Sequence, residues 1–161
     1  MSKDSGSILI AGAGCAGLSL AMHLTQSAVL KQKVVLVEPR IREEYTNDRT
    51  WSGFSTKPHL FSCLASHRWH RWKCKTLNGE HISDPKRYSY ESIRASDYYD
   101  FCLDRLTSDP RVEIYFGCRL VNTPDGSFDI VDRSHELRRN IKPDHFFDSR
   151  PQSDSYFSRD G

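Results

Sequence analysis

Apolar residues fall in two short continuous runs near the start of the chain, Ile8–Ala11 and Val34–Val37. Runs of this length, bounded by glycine and polar residues, predict strands buried on both faces of a parallel sheet. The β-branched residues of the second run favour the same state. Between them, from Cys15 to Gln26, Leu18, Ala21 and Met22 recur at i, i+3 and i+4, and Leu20 with Leu24 forms a second row. A helix with apolar positions on more than one side suits packing against a sheet. Strand, glycine turn, helix and strand within about 30 residues make a βαβ unit, whose crossover is expected to be right-handed.

The pattern weakens after Glu38. Residues 39–60 show no periodicity and read as a loop, while 66–75 read as an extended segment and Asn78-Gly79 as a hairpin turn. Ser96 suits a helix N-cap with Asp97 in the first turn. Tyr98, Phe101, Cys102 and Leu106 continue that helix until Asp109-Pro110 ends it. Val112–Phe116 alternates as a strand, Pro124-Asp125-Gly126 is a turn, and Phe128–Val131 and His145–Asp148 are further short strands. Pro151–Gly161 carries no packing pattern.

The 161 residues carry 23 Lys and Arg against 21 Asp and Glu. That balance provides no basic field for a phosphate backbone, so no nucleic-acid partner is expected. No apolar run approaches the about 18 residues of a membrane span. Nothing before Ser7 resembles a secretory h-region. The five cysteines, at 15, 63, 74, 102 and 118, are odd in number and widely spaced. Free thiols in a reducing cytoplasm fit that spacing better than a disulfide framework.

Gly12-Ala13-Gly14-Cys15-Ala16-Gly17 reads G-x-G-x-x-G between the first strand and the helix. Glu38 ends the next strand about 20 residues further on, the place of the ribose-binding acid in dinucleotide-binding folds. Gly12 serves a tight turn, Gly14 a close approach of backbone to pyrophosphate, and Gly17 close helix–strand packing. The helix N-terminus offers N–H groups and partial positive charge to a diphosphate. Glu38 suits a ribose diol and opposes a 2′-phosphate there. The motif leaves FAD and NAD open.

With Glu38, the loop Asn47-Asp48-Arg49-Thr50-Trp51-Ser52-Gly53-Phe54, His67-Arg68-Trp69, Tyr90–Phe101 and Asp148-Ser149-Arg150-Pro151, the chain resembles the flavoprotein lycopene cyclases of carotenoid biosynthesis. Asp48-Arg49 stands where that family more often has a histidine, and Ser149 and Pro151 stand for Ala and Gly. The resemblance implies an α/β fold: a Rossmann-like FAD-binding βαβ core of the glutathione-reductase type with an inserted β-rich segment, here incomplete. It implies residues 1–60 as the βαβ unit and following loop, 61–94 as a β-rich substrate-side segment, 95–150 as a return to the dinucleotide-binding domain, and 151–161 as an irregular tail.

The activity implied is redox-neutral, acid-initiated cyclisation of lycopene ends to β-rings, an isomerisation in which FAD acts reduced and NAD(P)H supplies the electrons. The cofactor-binding residues implied are Gly12, Ala13, Gly14, Cys15, Ala16, Gly17 and Glu38. Leu120 joins them because the corresponding backbone in such flavoproteins contacts the adenine; a plain sheet edge accounts for Leu120 equally well. No catalytic acid is assigned, since the family's Glu-rich motif lies further along than these residues reach. The expectation is an inactive N-terminal fragment. The alternatives are another FAD-dependent oxidoreductase or monooxygenase, and a non-enzymatic fragment.

Two other patterns bear on partners. Cys63, His67, His70 and Cys74 lack the paired spacing of zinc sites, and His67 and His70 face opposite sides of a strand, so no metal is assigned. Trp69 and Trp72 interleave with Arg68, Arg71, Lys73 and Lys75. An ordinary half-buried strand explains this pattern as well as a membrane surface does. A lipid-dissolved substrate would favour the membrane and a cytoplasmic protein peripheral to it. Glu43-Glu44 reads as a solvated loop pair.

Overall fold

The computed structural model describes residues 6–84 and 87–150. In chain order the elements are β1 (Ser7–Ala11), α1 (Cys15–Gln26), β2 (Lys33–Glu38), β3 (Thr50–Ser55), β4 (His67–Trp69), β5 (Trp72–Thr76), β6 (Gly79–Ser83), β7 (Ser89–Arg94), α2 (Ala95–Ser108), β8 (Val112–Phe116), β9 (Cys118–Asn122), β10 (Phe128–Asp132), β11 (Leu137–Ile141) and β12 (His145–Asp148). The described residues divide into two compact units, residues 6–44 with 102–150, and those within 45–101.

The first unit is built on a parallel sheet of order β12-β1-β2-β8. Leu9, Ile10, Val34, Val35 and Leu36 are completely buried, as both-sided burial of central parallel strands requires. On one face Leu9, Val35 and Val37 pack with Cys118, Ile130 and Ile141 of the antiparallel sheet β11-β10-β9. Burial pushes the Cys118 thiol pKa up, and the Asp132 charge adds to the rise. Helix α1 packs on β1 through its buried residues, which are Gly17, Leu18, Ala21 and Met22. Its C-terminal carbonyls are held by Arg111: Nη2 donates to Thr25 O at 2.6 Å and Nη1 to Ser27 O at 3.3 Å, while Asp109 pairs with the same guanidinium at 2.7 Å. This clamp fixes the far end of the helix whose near end forms the glycine turn.

The second unit has an antiparallel sheet β3-β7-β4 and a two-stranded hairpin β5-β6. Trp51 meets Tyr98 and Tyr99 edge-on at 4.9 and 5.3 Å between ring centroids, and Phe61 packs on Tyr98 at 4.9 Å. Aromatic rings supply most of this small core.

Two sequence expectations are corrected. Residues 39–60 are not wholly loop: Thr50–Ser55 is β3, paired with β7 from Thr50↔Arg94 to Ser55↔Ser89, and Arg42–Glu44 forms a 3₁₀ turn. Ladder pairing with β7 outweighs the weak strand preference of a serine- and glycine-rich segment. Ser96 is not outside the helix: α2 begins at Ala95 directly after β7, and the Ser96 hydroxyl donates to Asp97 Oδ1 at 3.3 Å. Glu43 and Glu44 are exposed, as a solvated loop pair should be, and Glu44 is ion-paired as well. It accepts the Ile41 N–H at 3.1 Å and pairs with Arg133 at 2.7 Å, and the Arg133 bond holds its pKa below the ordinary value. The extended segment 66–75 is two strands, β4 and β5, interrupted at His70-Arg71. The tail 151–161, with Pro151, lies outside the described residues.

Candidate functional site

The glycine turn is closed by contacts that leave one position open. Gly12 has φ +92°, in the region that favours glycine, and its N–H donates to Val37 O at 2.8 Å. A Cβ on Gly17 would lie 2.0 Å from Gly12 O and 2.8 Å from Ser149 Oγ, so only glycine lets α1 come this close to the turn. Gly14 differs: among the described residues no atom beyond its chain neighbours lies within 4 Å of where its Cβ would be. It is also the N-cap of α1, with no side-chain cap and no acidic residue in the first turn. The positive end of the helix therefore meets open space at the residue whose missing side chain keeps that space open.

Glu38, at the end of β2, is only 6% exposed. Its Oε2 accepts the Ala13 N–H at 2.7 Å, and its Oε1 accepts the Arg40 N–H at 3.1 Å and Nε–H at 3.0 Å. A carboxylate offers about four lone-pair directions, so these three bonds leave one for an incoming hydroxyl. The strand β12 brings a third segment to the turn. Ser149 donates its N–H to Ala11 O at 2.9 Å, and its hydroxyl lies 2.8 Å from Ala11 O and 3.0 Å from Gly12 O. Beside it Arg150 pairs with Asp148 at 2.6 Å and holds the Asp148 carboxyl pKa below its usual value.

The structure thus brings Gly12, Ala13, Gly14, Cys15, Ala16, Gly17 and Glu38 into one place. Leu120 is on β9, an edge strand of the antiparallel sheet. It pairs there with Ile130, and its side chain packs against the Leu9–Val35 cluster. Two participants were not picked out as site residues from the sequence. Arg40 carries no signal beyond following Pro39, and the Ser149 hydroxyl contact spans most of the chain. Chemically, the open helix end suits a diphosphate and the buried carboxylate suits one hydroxyl of a ribose.

The family model described as lycopene cyclase protein matches residues 7–151. The chain belongs to the lycopene cyclase family. Among solved structures, PqsL of Pseudomonas aeruginosa, described as a probable FAD-dependent monooxygenase, is similar at 15% identity with a TM-score of 0.59, over 89% of this chain and 40% of that one. CtdE in complex with FAD is similar at 16% identity and TM-score 0.56, over 89% of this chain and 38% of that one. The Diels-Alderase PyrE3 of pyrroindomycin biosynthesis is similar at 16% identity and TM-score 0.57, over 90% of this chain and 32% of that one. These likenesses establish a shared α/β fold with enzymes that include FAD-dependent ones. This lycopene cyclase family chain spans about 40% of the length of the first solved structures it matches. No curated protein sequence matches it.

Proposed function

We propose that these residues form the FAD-binding part of a lycopene cyclase, with a Rossmann-like core of the glutathione-reductase type. The observation that carries this reading is the pairing of an open Gly14 at the uncapped start of α1 with a buried Glu38 held against Ala13. In it the α1 N-terminus holds the diphosphate, with Gly14 giving room for it, and Glu38 holds the adenosine ribose. Leu120 stands as a backbone neighbour of the adenine. In this reading β1, α1 and β2 with the return through residues 95–150 bind the cofactor, and the β-rich segment 61–94 belongs to the substrate side.

The reaction is an isomerisation. A proton adds to a terminal double bond of lycopene, a carbon–carbon bond closes the ring, and a different proton leaves, so the product has the composition of the substrate. Reduced flavin, with NAD(P)H as its electron source, supplies an electron-rich surface for the positive charge that develops. The substrate dissolves in lipid, which supports a cytoplasmic protein working at a membrane surface. A FAD-dependent monooxygenase is the second reading, favoured by the fold shared with PqsL.

Replacing the matching N-terminal part of an active family member with residues 7–150 gives a full-length chain, in which equilibrium dialysis of FAD beside a Gly14→Val variant tests the cofactor reading: binding in the first and loss in the second are expected. The same chimera tests the activity. Ring products from lycopene, seen by chromatography, support the cyclase. FAD retention with no ring product and NADPH-dependent oxygen consumption supports the monooxygenase.

A further inference from the structure

The second unit carries a cleft of about 220 Å³ whose lining includes Lys57, Arg68, His70, Arg87, Ser89 and Glu91. It has no part in the cofactor reading. Three permanent cations face one carboxylate, an excess of two positive charges before His70 is considered. Among the described residues neither Lys57 nor Arg87 has an acidic partner. Arg87 instead lies over the Tyr88 ring, 5.9 Å from its centroid.

Arg68 is held from behind. Glu91 is 6% exposed, at the centre of β7, and its Oε1 accepts Arg68 Nε–H at 2.9 Å and the Ser89 hydroxyl at 3.3 Å. Arg68 Nη2 also reaches Ser62 O at 3.4 Å. The other Glu91 oxygen is buried, has no hydrogen-bond partner among the described residues, and lies 3.4 Å from His59 Nε2. The Phe61 N–H donates to His59 Nδ1 at 3.2 Å, which assigns the ring proton to Nε2, on the Glu91 side. Glu91 therefore sits between Arg68 and His59 and fixes the guanidinium through Nε. A guanidinium fixed at one edge loses less freedom when it binds an anion.

We propose that this cleft binds a phosphate monoester dianion. Such a group carries about −1.5 to −2 at neutral pH, which matches the excess positive charge, and presents three strong acceptor oxygens. At about 220 Å³ the cleft has room for a phosphoryl group. Arg68 gives the directional bonds, Lys57 and Arg87 give charge, and Glu91 is a positioning residue. The same chemistry is offered by free phosphate, by the 2′-phosphate of a nucleotide and by a lipid headgroup.

The test follows the His70 ring proton by NMR in the full chain. It is titrated with inorganic phosphate, with NADPH against NADH, and with phosphatidylcholine vesicles with and without phosphatidic acid. A saturating shift with inorganic phosphate is expected, weakened on the order of tenfold in a Lys57→Gln/Arg87→Gln double variant. Those side chains are exposed, so the fold is not at risk, and Lys31→Gln in the other unit should change nothing. Glu91→Gln adds one to the excess positive charge but frees the Arg68 guanidinium, so weaker binding in it marks the positioning role and stronger binding overturns that role. Response to NADPH but not NADH identifies the nucleotide as the source. Response only to vesicles bearing phosphatidic acid identifies the lipid, and response to phosphate alone identifies the free anion. No saturating shift with any probe, an equal response to plain phosphatidylcholine, or full binding by the double variant would overturn the proposal.

Discussion

The Ala13 amide donates to the Glu38 carboxylate at 2.7 Å, so the turn that would meet the phosphates and the acid that would meet the ribose are one hydrogen-bonded unit. Glu38→Gln keeps the shape but removes the charge that strengthens this bond and any bond to a ribose hydroxyl. FAD affinity is expected to fall by about 1.5–3 kcal/mol. Fluorescence titration measures it, and an unchanged affinity would show that Glu38 does not meet the ribose.

Gly14 and Gly17 separate binding from stability. Gly14→Val adds atoms only to open space, so its cost in melting temperature should be limited to a poorer N-cap and stay below that of Gly17→Ala, while FAD binding is lost. Gly17→Ala drives a methyl into Gly12 O and should cost about 1–3 kcal/mol in stability. Thermal denaturation of both variants beside FAD titration checks the contrast. Equal destabilisation would mean that Gly14 is not open.

Ser149→Ala removes the hydroxyl that meets the Ala11 and Gly12 carbonyls. A loss of about 0.5–1.5 kcal/mol is expected, with faster amide exchange at Gly12. Hydrogen exchange reads this residue by residue, and unchanged protection would count against the hydroxyl as a tether.

Asp125 provides a pH-dependent element at the β9–β10 turn. Hydrogen bonds from the Thr123 hydroxyl, then from the Ser127 hydroxyl and N–H, lower its carboxyl from 3.8 to about 2. A depressed folded value means that the stabilisation is complete above the unfolded value and is lost as pH falls from 3.8 towards about 2. Ser127 amide exchange should therefore accelerate through that window in the native chain. In Asp125→Asn it should already be fast at higher pH and show no such step.

The parts of the fold legible in the sequence are those whose signal is local. β1, α1 and β2 carry their own period, and the glycine spacing with Glu38 locates the turn. β3 was not legible, because Ser52, Gly53 and Ser55 blur its alternation and only β7 makes it a strand. β11 failed for a related reason: Leu137-Arg138-Arg139-Asn140-Ile141 is a mostly exposed edge strand whose Arg139 pairs with Glu113. Charges of that kind suit an edge but look like a loop. Arg40 and Ser149 escaped as site residues because their roles depend on where the backbone brings them. The Glu91–Arg68 pair depends likewise on the register of β4 against β7.

The order β12-β1-β2-β8 also dictates a sequence of events in assembly. Ile8 pairs with Val34 on one side and with His145 on the other. The strand nearest the start of the chain is therefore enclosed only once residues close to 148 have been made, and Ser149 can tie down the turn only then. Local pieces such as α1 and the β5–β6 hairpin need no such wait. Long-range parallel pairing is slow because the intervening chain must be ordered first. During synthesis the glycine turn of residues 12–17 consequently emerges well before β12, the strand that must pair with β1 for the turn to become rigid.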